Sequence, residues 1–245
     1  MAVNLDQNHE GPSDHNNSVP GRYGFRSSEV ENYSFPYKVP LGDSITEITC
    51  WRSKLWDLLK ANNVTDSIEF VGSQTNNPQN CHASDTNWDK HHEGHSGFLA
   101  INIANTLLEG WLADSKPDIV MFMLGTNDVA QGRSLNDIIG AYTHMVDLMR
   151  ESNPNMKIIV DSVIPLPMNN VPIENLNAAI PPWAAEQNTT ESPIYFNDVY
   201  PYPSTALRDG IHPNDAGDVI IADSLSPLLT WVIKSSAESN STAKA

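Results

Sequence analysis

A chain of 245 residues with 40% apolar content can bury one medium-sized core. Its 14 basic residues against 30 acidic ones leave a formal charge of −16. This excludes the basic face a nucleic-acid partner needs and repels anionic substrates at long range, so a neutral substrate fits best. No run approaches the ~18 consecutive apolar residues of a membrane span.

Residues 1–35 are rich in Asn, Ser, Gly and acidic residues and show no periodicity, which predicts a poorly ordered N-terminal arm. The main domain is expected over 36–235, with a C-terminal tail over 236–245. A first strand around Tyr37–Leu41 runs into Gly-Asp-Ser. It hands over to a helix whose apolar face is Ile48, Trp51, Leu55, Leu58 and Leu59. "SIEFVGS" (67–73) predicts a second strand, and Ile101, Ala104, Leu107, Leu108 and Trp111 mark another amphipathic helix. "DIVMFMLG" (118–125) is a near-continuous apolar run, as suits a strand buried on both faces.

Leu135, Ile138, Ile139, Tyr142, Val146 and Met149 trace the next helix, which Asn153-Pro154 ends. "MKIIVDSVIPL" (156–166) and "SPIYFND" (192–198) predict strands four and five. Segment 166–191 is long for a loop and leaves room for a short helix bordering a cleft. A closing helix spans about Asn214 to Ile233, with Pro227 expected to kink or divide it. This alternation predicts an α/β fold, one parallel sheet with helices on both faces. Ligands of such sheets sit at the carboxyl ends of the strands, so functional residues should fall just after strands.

Polar candidates do fall there. Ser44 follows strand one, Gly125-Thr126-Asn127-Asp128 follows strand three, and Asp209 and His212 follow strand five. A serine hydroxyl needs a base within hydrogen-bond reach, and the base needs an orienting partner. "RDGIHPNDAG" (208–217) offers Asp209 to hold Nδ1 of His212, leaving Nε2 outward. A tetrahedral intermediate also needs oxyanion donors, which the Ser44 N–H, a glycine N–H and an asparagine amide can supply. Asp128 is given a structural role.

"CHASDTNWDKHHEGH" (81–95) is rich in metal-ligating side chains but matches no zinc spacing, so a polar loop is expected and no metal or cofactor. "GHSGF" resembles a nucleophile elbow around Ser96, yet Phe98 stands where glycine is needed and no strand precedes it. Cys50 and Cys81 are compatible with two buried thiols or, in an oxidising compartment, one disulfide. The N-terminus lacks the apolar core of a signal peptide.

"GDSIT", "GHSG", "GTND" and "DGIHPN" stand in the order and context of the four blocks of the SGNH, or GDSL, hydrolases, a resemblance covering about residues 38–233. The resemblance implies a flavodoxin-like three-layer α/β/α sandwich with a parallel five-stranded sheet. It also implies Ser44 as nucleophile, His212 and Asp209 as base and partner, and an oxyanion hole of Ser44, Gly97 and Asn127. Gly97 is preferred to Gly94 because the family's glycine usually follows a small residue and opens the next helix.

"GDSITE-x-x-C-W-R" with "H-E-G-H-S-G" further resembles the third carbohydrate esterase family, which deacetylates plant-wall polysaccharides such as xylan. That narrower likeness implies a secreted enzyme and favours a Cys50–Cys81 disulfide over two free thiols; a monomer is expected. It implies acetylated polysaccharide or a small acyl ester as substrate. Trp51, Trp88 and Trp183 are candidate sugar platforms, with Trp51 expected in the core and Trp183 exposed near the site. A general short-chain acyl esterase or lysophospholipase is the alternative enzyme. A non-catalytic carbohydrate-binding or scaffold protein is the alternative class, disfavoured because every expected catalytic position is filled.

Overall fold

The structure, a computed structural model, describes residues 36–242 and the side chains of 36–237; the expected N-terminal arm, residues 1–35, lies outside the described residues. The chain alternates strand and helix as expected. β1 (Tyr37–Gly42) leads to α1 (Ser44–Ile48) and α2 (Trp51–Ala61), then β2 (Glu69–Phe70) and β3 (Glu93–Gly94). α3 (Ala100–Asn102), a π-helical turn and α4 (Leu108–Ser115) come before β4 (Ile119–Met123) and α5 (Thr126–Ala130). α6 (Leu135–Ser152), β5 (Lys157–Asp161), α7 (Asn170–Gln187), β6 (Ile194–Asn197) and α8 (Asp215–Thr242) complete it.

All strand pairs are parallel, in the order β2-β1-β4-β5-β6, and β3 pairs with β1 beyond the end of β2. Two short strands thus share one edge position, giving five positions across the sheet. Along β4 the side chains alternate. Ile119, Met121 and Met123 pack with α2 and α8, while Val120 and Phe122 join α4, α6 and α7 on the other face. These are the outer layers of the three-layer sandwich. Leu55 and Leu59 of α2 and Leu225 and Leu229 of α8 have no exposed surface. Each contributes about 1.5–3 kcal/mol by leaving water.

Several elements differ from the sequence expectation. The first helix is two, because Thr49 is extended (φ −104°, ψ 168°) and its Oγ1 donates to the Ile45 carbonyl at 2.6 Å, closing α1. A Cys50–Cys81 disulfide then ties the start of α2 to the loop before β3. Strand four stops at Asp161, because the Asn177 side chain takes over both backbone groups of Val163, at 2.7 and 2.8 Å. The long segment after it is mostly the 18-residue α7, which contains Pro181 and Pro182 and packs on α6 and β6.

α8 passes Pro227 and runs to Thr242, so the start of the expected tail is helical. Its stretch Asp215–Ala237 is long and apolar enough by composition to cross a membrane, with mean hydropathy 1.4, and 56% of it is buried within the protein.

Candidate active site

The strand order reverses between β1 and β4, since β1 connects outward to β2 while β4 lies on its other side. In parallel sheets ligands bind at the carboxyl ends of the strands at such a switch point. Gly42 ends β1 where the Thr46 side chain and the Met123 carbonyl leave no room for a Cβ. Asp43 caps the helix that follows, its Oδ1 accepting from the Ile45 N–H at 2.9 Å. Ser44 is the first residue of that helix.

The loop before α8 closes on itself, the Arg208 N–H donating to the His212 carbonyl at 2.9 Å. Within it, Asp209 Oδ1 accepts from the N–H groups of Ile211 (3.0 Å) and His212 (2.8 Å). Asp209 Oδ2 lies 2.8 Å from His212 Nδ1, and His212 Nε2 lies 2.9 Å from Ser44 Oγ. Partial burial acts to raise the Asp209 carboxyl. The backbone and imidazole hydrogen bonds outweigh it and hold the group at about 2. An ionised Asp209 places the imidazole proton on Nδ1, so Nε2 faces Ser44 as an acceptor. The three side chains form one line at the rim, with the Asp209 side chain 48% exposed.

Asn127 enters from α5. Its Nδ2 donates to Asp43 Oδ2 and to the Phe98 carbonyl, both at 3.1 Å. Burial pushes the Asp43 carboxyl up to about 7, with neighbouring Asp128 adding to the rise and the Ile45 N–H opposing it. Asp128 is fully buried and caps α3 by accepting from Ala100 (2.8 Å) and Ile101 (3.3 Å).

Gly97 sits in a turn in which the Phe98 N–H donates to the His95 carbonyl at 3.2 Å. Its φ of +81° is one that glycine adopts without strain. The His95 N–H donates to the Gly42 carbonyl (3.0 Å) and the Ser96 N–H to Glu47 Oε2 (2.6 Å). Among the described residues, neither the Gly97 nor the Ser44 N–H donates a hydrogen bond. The Gly94 N–H, by contrast, is engaged by His92 Nδ1 at 3.0 Å. Ser96 is exposed, and His212 bonds Ser44.

The tryptophan expectations hold for Trp51 and change for Trp183. Trp51 is core, donating to the Ile45 carbonyl at 3.0 Å. Trp183, expected exposed near the site, is buried instead. Its Nε1 donates to Thr143 Oγ1 at 3.0 Å and its ring meets Tyr142 edge-on, because α7 is a packed helix. Trp88 is also buried and lines a cleft of about 1060 Å³ at the sheet edge, together with Tyr37, Phe70, Glu93 and Trp111. That cleft includes none of Ser44, Asn127, Asp209 and His212. Near the triad and Asn127 the exposed apolar side chains are Phe98 and Ile211.

In the 81–95 stretch, Cys81 is in the disulfide and the histidines are engaged separately: His91 with Asp89, His92 with Asn76 and His95 with Glu93. Among the described residues no group of three His, Cys, Asp or Glu side chains is placed to hold a metal. Sequence reasoning missed Asp43 as the link between α1 and Asn127, and the Glu93–His95 pair. The latter had a signal, since residues two apart on an extended segment share a face.

A GDSL-like lipase/acylhydrolase family model matches residues 41–220. The structure of an acetyl esterase holding an acetate ion and that of a carbohydrate esterase family 3 protein from Talaromyces cellulolyticus are both similar to this chain. Each has 44% sequence identity and a TM-score of 0.79, covering 82% of this chain and 99% of the other. The chain belongs to the GDSL-like hydrolases, in carbohydrate esterase family 3. This GDSL hydrolase is a carboxylic ester hydrolase with the α/β sheet of its relatives. A multidomain esterase of Ruminococcus flavefaciens is 27% identical over 206 residues, and the chain spans only 26% of that relative's length.

Proposed function

We propose that this hydrolase is a serine acetyl esterase acting on acetylated plant-wall polysaccharide such as xylan. The observation that carries the mechanism is the hydrogen-bonded line from Asp209 Oδ2 through His212 to Ser44 Oγ. Ser44 Oγ attacks the acetyl carbonyl while its proton passes to His212 Nε2. The carbonyl oxygen takes up the negative charge against the N–H groups of Ser44 and Gly97 and against the Asn127 amide, which must first release one of its two N–H groups from Asp43 Oδ2 or the Phe98 carbonyl. The tetrahedral intermediate collapses, His212 gives its proton to the departing sugar hydroxyl, and an acetyl-Ser44 ester is left. Water then repeats the sequence with the same base, releasing acetate and restoring Ser44.

Three observations support the acetyl and polymer reading. The acetyl esterase and family 3 relatives match over nearly their whole length. The triad lies at an open rim, where an acyl group on a large chain is reachable. The charge of −16 favours a neutral polymer over an anionic lipid. A secreted, monomeric enzyme is part of this proposal, and the Cys50–Cys81 disulfide fits an oxidising compartment.

Acetate release from acetylated xylan, compared between the native chain and Ser44→Ala, tests the proposal. Release that disappears in the variant is the expected result. No release from either protein, with small acyl esters still hydrolysed by the native chain, would leave the esterase and remove the polysaccharide.

A further inference from the structure

The turn that carries Gly97 begins at His95, whose carbonyl accepts the Phe98 N–H. The orientation of that residue therefore sets the direction in which the Gly97 N–H points. The His95 ring lies between two aromatic rings. Phe98 is on one contact, with centroids 5.1 Å apart and planes 20° apart, and Trp111 of α4 on the other, at 4.5 Å and 8°. Its Nε2 lies 2.5 Å from Glu93 Oε1. Glu93 is itself 2% exposed and fully engaged: Ser73 Oγ donates to Oε1 at 2.6 Å and the Ser73 N–H to Oε2 at 2.8 Å. The ring is thus fixed in both tilt and rotation by groups that do not touch Ser44.

The same turn joins both sides of the oxyanion site. Its first N–H holds the end of β1, and the Phe98 carbonyl accepts from Asn127 Nδ2. A tilt of His95 would move the Gly97 donor and the partner of the Asn127 donor together.

We propose that His95 is a positioning residue for the oxyanion hole, with Glu93 as the group that fixes it. The proposal rests on the reading of Gly97 and Asn127 as oxyanion donors. His95 touches no reacting atom; it acts through the turn it starts. Its loss lowers kcat rather than raising KM, because the misplaced donors serve the transition state.

The test is the steady-state kinetics of p-nitrophenyl acetate hydrolysis by the full chain. The variants are His95→Ala, His95→Phe and Trp111→Leu, with Ser44→Ala alongside and a urea unfolding curve for each. His95→Ala is expected to lose about 10–100-fold in kcat with KM changed by less than about threefold, the loss typical of a displaced catalytic geometry. His95→Phe keeps a ring between Phe98 and Trp111 and is expected to recover part of that loss. Trp111→Leu removes one side of the clamp at a half-buried position, and a smaller kcat loss at unchanged KM is expected. It carries the test if His95→Ala does not fold.

Native kcat in folded His95→Ala would overturn the proposal, as would a purely KM effect or His95→Phe no better than His95→Ala. Native kcat in Trp111→Leu would overturn the clamp if His95→Ala is unfolded. Activity surviving in Ser44→Ala would instead overturn the underlying reading of the site.

Discussion

Replacing Asn127 with alanine separates the chemistry of the site from its stability. The side chain makes two hydrogen bonds through Nδ2, to Asp43 Oδ2 and to the Phe98 carbonyl, each 3.1 Å long. Two such bonds are worth about 1–3 kcal/mol of net stability. A domain with only about 5 kcal/mol to begin with would keep about 2 kcal/mol, leaving about 97% of molecules folded. An oxyanion donor, in contrast, is worth about 2.7–4 kcal/mol of barrier, a fall of about 10²–10³-fold in kcat. Unfolding cannot imitate a loss of that size. Initial rates on p-nitrophenyl acetate, with urea unfolding followed on the same preparation, give both quantities. A kcat within a few-fold of the native value would refute the assignment of Asn127 to the hole.

The Cys50–Cys81 bond spans a sequence separation of 31 residues, which in the loop-entropy account stabilises the fold by about 3–4 kcal/mol. Substituting both cysteines with serine should lower the urea midpoint accordingly while folded enzyme keeps its activity; an unchanged midpoint would contradict this. Asp161, at the end of β5, is 3% exposed, and burial pushes its carboxyl from 3.8 up to about 7, with the Asn197 amide opposing the rise. Between pH 4 and 7 the folded state then holds a proton that the unfolded chain has lost, so stability falls as pH rises through that window. Asp43, also raised to about 7, adds to this dependence, while His92, lowered to about 3 by burial, opposes it, so the test is a comparison. Between pH 5 and pH 7.5 the native chain should lose more unfolding free energy than Asp161→Asn, and equal changes in the two would count against the assignment.

The alternation of strands and helices was legible because each element carries its own period. The buried run of β4 and the apolar face of α6 need no distant partner to be recognised. The hydrogen-bonded line of Asp209, His212 and Ser44 was legible for a related reason: Asp209 and His212 are three residues apart, and Ser44 stands at a strand–helix junction. What escaped depended on particular side-chain contacts, near or remote, that no hydrophobic period records. The break between α1 and α2 comes from Thr49 turning back on Ile45, and the early end of β5 from Asn177, fourteen residues beyond Val163. Trp183 looked exposed because Pro181 and Pro182 suggested a loop. In the fold they lie inside α7, whose packing on α6 buries the indole. Asp43 and Asn127 meet across 84 positions, a pairing that no local pattern announces.

The central claim is that Ser44 carries the acyl group in a covalent intermediate. Enzyme quenched with acid during turnover of p-nitrophenyl acetate, then digested and sequenced by mass spectrometry, tests it most directly. An acetyl group on Ser44, absent from Ser44→Ala, is the result expected. An acetyl group on Ser96, or continued turnover by Ser44→Ala, would contradict the claim.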